Sequence, residues 1–163
     1  MKFPSTVLIF SLSVFFFCSC ESGNEDFIGY DKTVTEQFEN FNITYLEYIK
    51  SLNSGDAKDI LVKKNNTLHQ IERSIKNLNS IIEIDSDENY LKTSLNYFSI
   101  LEKSINFSDS IYLLILSKGS GMTTEDSIKI NELTSSRNYK CDKAFIEFQN
   151  AQQKFRKKFK ISF

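Results

Sequence analysis

The segment VTEQFENFNITYLEYIKSL, residues 34–52, spaces its apolar side chains at alternating steps of four and three. Such steps bring them all to one face of an α-helix. The residues of this face are Val34, Phe38, Phe41, Tyr45, Tyr48 and Leu52. Thr33, just before this segment, and Glu36, within it, have the spacing of a capping box. In a capping box, a side-chain oxygen at each of the two positions binds a free backbone N–H group. The segment therefore predicts an amphipathic helix that begins near Val34.

Three more helices are predicted after this one, each with a stripe of its own. The second begins after Asp56, a good N-cap residue, and runs to about Ile82. The third covers residues 87–118 and has Asp85 and Glu88 as its capping pair, and the fourth runs from the capping pair Thr123 and Asp126 to about Phe159. The predicted stripe of the second helix is Ala57, Leu61, Lys64, Leu68, Ile71, Ile75, Leu78 and Ile82. That of the third includes Leu91, Leu95, Phe98, Leu101, Ile105, Ser108, Tyr112 and Ile115, and that of the fourth Cys141, Phe145, Phe148, Phe155 and Phe159.

The connections between these four helices are short, which favours antiparallel neighbours. The only proline is Pro4, so no proline interrupts the periodic part of the chain. We therefore predict an all-α fold, an up-down-up-down antiparallel four-helix bundle over residues 33–163. An extended helical hairpin that completes its core by dimerising is the alternative.

The first twenty residues have the composition of an export signal. Lys2 precedes an apolar run over residues 3–17, which is shorter than the about 20 apolar residues that a membrane-spanning helix needs. The run ends at Ser19 and Cys20 without the small-residue cleavage site of an ordinary signal peptide. This region resembles a bacterial lipoprotein signal, in which the thiol of the cysteine receives a diacylglycerol.

The residues around Cys20 resemble one particular form of that signal. Phe17 stands where leucine is usual, and three acidic residues lie between Glu21 and Asp26, as in the relaxed lipoprotein signals of Bacteroidota. The resemblance implies removal of residues 1–19, a palmitate-type lipid anchor at Cys20, and a place at the outer membrane, exposed on its surface. Residues 20–32 have no apolar periodicity, which predicts a flexible tether. Acylation of Cys18, an ordinary signal peptide and an N-terminal membrane anchor are the alternatives.

Composition and motifs argue against several functions. Lys and Arg total 20 against 21 Asp and Glu, and this net charge of −1 argues against general nucleic-acid binding. His69 is the only histidine and belongs to no metal-binding motif, while Cys141 lies on an apolar stripe as a buried thiol. We expect no catalytic residues, no metal and no cofactor, and hence a protein that is not an enzyme.

Polar residues interrupt the stripes at one end of the predicted bundle. At about 1.5 Å per residue, Tyr45, Lys64, Ser108 and Arg137 lie within the same half, the one opposite both termini. A buried cation is costly unless water, an acid or an anion is near it. The pattern predicts a polar pocket with Lys64 and Arg137 as anion contacts and Tyr45 as a wall. The alternative is that Lys64 extends to solvent and residues 134–138 simply face water.

Taken together, the chain resembles the small helical surface lipoproteins of unknown function found in Bacteroidota and spirochaetes. The resemblance implies no catalytic residues. The first hypothesis is a monomeric, lipid-anchored protein of the cell envelope that binds another macromolecule, a protein or a polysaccharide. The second is a carrier or sensor that holds a small ligand in the polar pocket. A purely structural role in the envelope is the third.

Overall fold

Local sequence signals determine where two of the helices begin. The computed structural model describes residues 22–54, 56–82, 84 and 89–161. Helix α2, Ala57–Asn79, starts at Asp56, whose carboxylate accepts hydrogen bonds from the backbone N–H groups of Lys58 and Asp59. Helix α4, Thr124–Lys158, starts with a complete capping box between Thr123 and Asp126. Both predicted starts are confirmed.

Helix α1, Ser22–Ser54, begins earlier than predicted. The flexible tether proposed for residues 20–32 is wrong from Ser22 onward, because Tyr30 and Asp31 are buried in the bundle. The capping box proposed for Thr33 is also wrong. The Thr33 hydroxyl lies inside the helix, where it donates a hydrogen bond to the carbonyl oxygen of Gly29 at 2.8 Å. Tertiary burial of Tyr30 and Asp31 extends the helix through a segment with no apolar periodicity of its own.

Helix α3 covers Tyr90–Lys118. Asn89 precedes it with φ 64°, a left-handed conformation that asparagine tolerates better than most residues. The predicted capping pair Asp85 and Glu88 lies outside the described residues. A short 3₁₀ turn, Gly119–Gly121, joins α3 to α4, and Gly119 has φ 44° there. Such a backbone favours glycine, which ends α3 where the sequence predicted.

The four α-helices form an all-α four-helix bundle in which neighbours in sequence pack together. Helices α1 and α4 meet at their outer ends, where the rings of Phe27 and Phe159 stack with centroids 3.7 Å apart. Further along, Phe38 of α1 stacks on Phe148 of α4 at 3.9 Å. These contacts run antiparallel, as an up-down-up-down bundle requires.

Aromatic rings fill the half of the core that lies near the ends of the described chain. Phe98 and Phe155 are fully buried, and Phe98 lies 4.7 Å from the ring of Phe38. The buried apolar residues that form this cluster include Tyr30, Val34, Phe38, Phe41, Ile71, Leu78, Tyr90, Phe98, Phe148 and Phe155. Tilted and stacked ring pairs at such distances stabilise a fold by more than the burial of their apolar area alone.

A buried polar network crosses this same half. The carboxylate of Asp31 accepts hydrogen bonds from Arg156 Nε, at 3.0 Å and 3.2 Å, and from the hydroxyl of Tyr90 at 2.9 Å. Gln152 donates to the Tyr90 hydroxyl at 2.9 Å and to Thr35 Oγ1 at 3.3 Å. The network ties α1, α3 and α4 together, and burial with the nearby Asp31 charge raises the pKa of Tyr90 well above its ordinary value.

Several predicted stripe positions are not buried. Leu61 is 56% exposed, Ile82 is 88% exposed and Phe145 is 39% exposed. On α2 the fully buried positions include Thr67 and Ser74 instead of their neighbours Leu68 and Ile75. The Thr67 hydroxyl lies 3.0 Å from the carbonyl oxygen of Thr44 on α1. Small side chains with satisfied hydroxyl groups thus lie where the two helix backbones approach each other.

The predicted signal over residues 1–19, which includes Cys18, and the predicted lipid-attachment residue Cys20 lie outside the described residues. In the part of the chain that the structure describes, no helix combines the length and the apolar character needed to cross a membrane.

Candidate functional site

A cavity of about 890 Å³ lies between all four helices, in the half of the bundle opposite the ends of the described chain. We call it the distal cavity. Its apolar lining comprises Phe41, Tyr45, Tyr48, Ile49, Leu52, Ala57, Ile60, Leu61, Tyr97, Leu101, Ile105, Ile111, Ile115 and Cys141. Its polar lining comprises Asn42, Lys64, Ser104, Ser108, Arg137, Asn138 and Asp142.

The cavity exists because α4 changes character along its length. No residue of the range 124–143 is buried, whereas Ala144, Phe148, Ala151 and Phe155 further along the helix are. The first half of α4 contains the polar run TSSRNYK, residues 134–140. Without large apolar side chains from this half, the bundle cannot fill its distal core to the density of the aromatic half.

All four residues predicted for the polar pocket line this one cavity: Tyr45, Lys64, Ser108 and Arg137. They come from four different helices, so the antiparallel arrangement brings them together. Lys64 is 7% exposed, and burial lowers the pKa of its ammonium group. Tyr45 is half-buried, and its ring stacks on that of Phe41 at 5.3 Å.

Arg137 and Ser108 form a direct pair across α3 and α4. Arg137 Nη1 donates to Ser108 Oγ at 2.7 Å, and the Ser108 hydroxyl in turn lies 3.1 Å from the carbonyl oxygen of Ser104. Arg137 also donates twice to the side-chain oxygen of Asn138. Within the described residues its hydrogen-bond acceptors are thus neutral oxygens.

Three tyrosines surround the inner part of the cavity. Burial raises the pKa of Tyr97 to about 12, with smaller contributions from Cys141, Tyr45 and Asp142. Burial also raises the pKa of Tyr48, which is close enough to Arg137 to feel its charge. Tyr48 and Tyr97 therefore keep their hydroxyl protons at neutral pH and can act as hydrogen-bond donors.

Sequence reasoning missed part of the lining. Cys141 was predicted to be a buried thiol, yet it is half-buried and lines the cavity. Asn138 and Asp142 were not predicted either. Their signal was available in the sequence, since both lie within five residues of Arg137 on α4.

His69 lies on the surface of α2, where its Nδ1 atom is 3.2 Å from a carboxylate oxygen of Glu72. Among the described residues no cluster of three or more His, Cys, Asp or Glu side chains has the arrangement of a metal site. Within the part of the chain that the structure describes, the lining of the distal cavity offers apolar surface, two cations, one carboxylate and several hydroxyl groups.

No protein-family model, curated protein or solved structure matches this chain.

Proposed function

We propose that the protein is a non-catalytic carrier or sensor that binds a small molecule in the distal cavity. The observation that carries this proposal is the cavity itself. Its volume of about 890 Å³ falls within the range of about 300–1,000 Å³ typical of small-molecule sites. Its composition is also typical, since a mostly apolar lining is combined with a few polar groups that can orient a ligand.

We further propose that the protein acts in the bacterial cell envelope, held by a lipid on Cys20. This part rests on the apolar run that ends at Cys20 and the acidic residues after it. A lipid anchor contributes about 0.8 kcal/mol per buried CH₂ group, so several acyl chains keep a protein on a membrane. The outer membrane is the proposed location.

The cavity favours a small ligand over the macromolecular partner that the sequence first suggested. Leu52, Leu61 and Ile115 are large apolar side chains that are both exposed and part of the cavity lining. These three side chains border a recess between helices, which suits a small ligand. Exposed apolar side chains elsewhere on the surface do not by themselves indicate a macromolecular partner, because single ones are normal on protein surfaces.

A cavity-filling variant tests this proposal. Cys141→Phe adds a ring inside the cavity, and Lys143→Phe adds the same ring at an exposed position of α4 outside it. The full chain of each variant is produced in bacteria and purified, and the small molecules that co-purify are identified by mass spectrometry. We expect the wild-type protein and Lys143→Phe to retain the same compounds and Cys141→Phe to lose them.

The melting temperature of Cys141→Phe separates a filled cavity from a damaged core. Overpacking a filled core costs about 1–3 kcal/mol, whereas an empty cavity accepts the ring. We therefore expect the melting temperature to stay unchanged or rise. If Cys141→Phe retains the co-purifying compounds in full, the cavity is not their binding site. Co-purification of a protein or polysaccharide alone would favour the macromolecular hypothesis.

A further inference from the structure

The distal cavity has a polar belt with apolar surface on either side of it. Counted from the distal end at about 1.5 Å per residue, Lys64 and Ser108 lie roughly 10–15 Å in. Arg137 begins somewhat further in, and its side chain reaches Ser108. Beyond the belt the wall includes the buried residues Phe41 and Leu101 and the half-buried residues Tyr97 and Cys141.

The apolar surface on the distal side of the belt is exposed instead. Ile49, Leu52, Leu61 and Ile115 line this part of the cavity and are 37–56% exposed. Covering apolar surface gains about 25 cal/mol per Å², so this part gains most from an apolar occupant. Phe41 and Leu101 of the inner wall are already buried, so an occupant would cover little further apolar surface on them.

The charged side chains of the lining favour an occupant whose polar group is an anion. Lys64, Arg137 and Asp142 are the charged side chains of the lining among the described residues. Arg137 and the protonated hydroxyl of Tyr48 offer donors at the level of the belt. Because the described hydrogen-bond acceptors of Arg137 are the neutral oxygens of Ser108 and Asn138, a carboxylate adds a charge-assisted partner there, whereas a neutral head group does not.

We propose that the distal cavity binds a single-chain alkyl carboxylate, such as a fatty acid, with its carboxylate at the Arg137–Ser108 pair beside Lys64 and its alkyl chain along the exposed apolar residues at the distal end. This inference rests on the proposed function, because it names the ligand class for the same cavity. It assigns an anion-binding role to Arg137 and an apolar-binding role to Leu52, Leu61 and Ile115.

Photo-crosslinking with two matched probes tests the head group. The full chain, held in neutral-detergent micelles, is labelled with diazirine-bearing lauric acid or with the corresponding lauryl alcohol. Intact mass gives the probe concentration for half-maximal labelling, and peptide mapping gives the labelled residues. A lost charge-assisted contact lowers affinity by about tenfold. We therefore expect the acid to label the wild-type cavity at about tenfold lower concentration than the alcohol does.

Variants on α4 assign that difference to Arg137. Arg137→Gln should remove the preference for the acid, and Arg137→Lys should keep most of it. Lys140→Gln, which removes an exposed cation of the same helix outside the cavity, should leave the preference unchanged. Equal labelling by acid and alcohol in the wild-type protein, or equal effects of Arg137→Gln and Lys140→Gln, would overturn the inference.

The two probes also separate this inference from the proposed function. If the alcohol labels the cavity as well as the acid does, the cavity still binds small molecules and only the carboxylate assignment is wrong. If neither probe labels any cavity peptide in the wild-type protein, the carrier function for such amphiphiles is wrong along with it. Circular dichroism melting of each variant confirms that labelling is compared between folded proteins.

Discussion

Asp31 is the carboxylate on which the closed half of the bundle depends. It is fully buried near the start of α1, and its partners Arg156 and Tyr90 come from α4 and α3. A buried charge with good partners contributes little net stability, but a buried charge that loses its partner is costly. Arg156 therefore stabilises the fold mainly by compensating the buried negative charge of Asp31.

We predict that Arg156→Met destabilises the protein by about 2–3 kcal/mol. It leaves the Asp31 carboxylate buried with the Tyr90 hydroxyl, at 2.9 Å, as its hydrogen-bond donor among the described residues. Urea unfolding followed by circular dichroism measures this change. Lys63→Gln is the control, since it breaks the partly exposed Lys63–Glu47 pair and should cost less than about 1 kcal/mol. Equal costs for the two variants would contradict the prediction.

Single residues also show what the sequence could and could not reveal. Lys64 and Arg137 stood out because each is a charge at a stripe position, which is a local signal. Asp31 gave no such signal. Its partner Arg156 is 125 residues away along the chain, and only the folded bundle brings the two together.

At the scale of the helix, the distal turn between α3 and α4 depends on Asp126. Its carboxylate accepts hydrogen bonds from Lys118 on α3 and from the backbone and hydroxyl of Thr123. The hydrogen bond from Lys118, followed by those from Thr123, lowers the pKa of Asp126 to about 2. Because its folded-state pKa lies below its ordinary value of 3.8, Asp126 stabilises the protein above that pH and less as the pH falls towards 2.

We predict that Asp126→Asn reduces the acid sensitivity of the fold. Between pH 3.8 and about 2 the melting temperature of the wild-type protein should fall more steeply than that of Asp126→Asn, since only the wild type loses the carboxylate contacts there. Melting curves over this pH range test the prediction. Glu125→Gln removes the adjacent carboxylate outside the capping box and should follow the wild type. Parallel pH profiles for Asp126→Asn and the wild type would refute it.

Helix ends and helix faces were predictable to different degrees. The caps at Asp56 and Thr123 were found because they depend on residues only two or three positions apart. The start of α1 was missed because its early part is held by packing of Phe27 and Tyr30 against aromatic rings of α3 and α4, and not by an apolar periodicity of its own. The buried positions Thr67 and Ser74 were missed because residue type alone does not reveal where two backbones approach each other.

At the scale of the whole molecule, the bundle has two unlike halves. The half near the chain ends is filled with aromatic rings and the Asp31 network, and the distal half contains the cavity. Along α1, Tyr45 lies about 35 Å from Ser22 at 1.5 Å per residue. An anchor at Cys20, two residues before the helix, would therefore place the filled half beside the membrane and the cavity away from it.

The proposed lipid anchor on Cys20 leads to a prediction about processing and labelling in cells. If the Cys20 thiol carries a diacylglycerol, Cys20→Ala should leave an unprocessed precursor that retains residues 1–19 and takes up no lipid. Cells that produce the full chain are labelled with an alkyne palmitate analogue, and the label on the protein is measured after purification. Cys18→Ala and Cys141→Ala remove the other two cysteines of the chain and should keep full labelling. Undiminished labelling of Cys20→Ala would refute the anchor at this residue, and loss of label from Cys18→Ala alone would move the acceptor there.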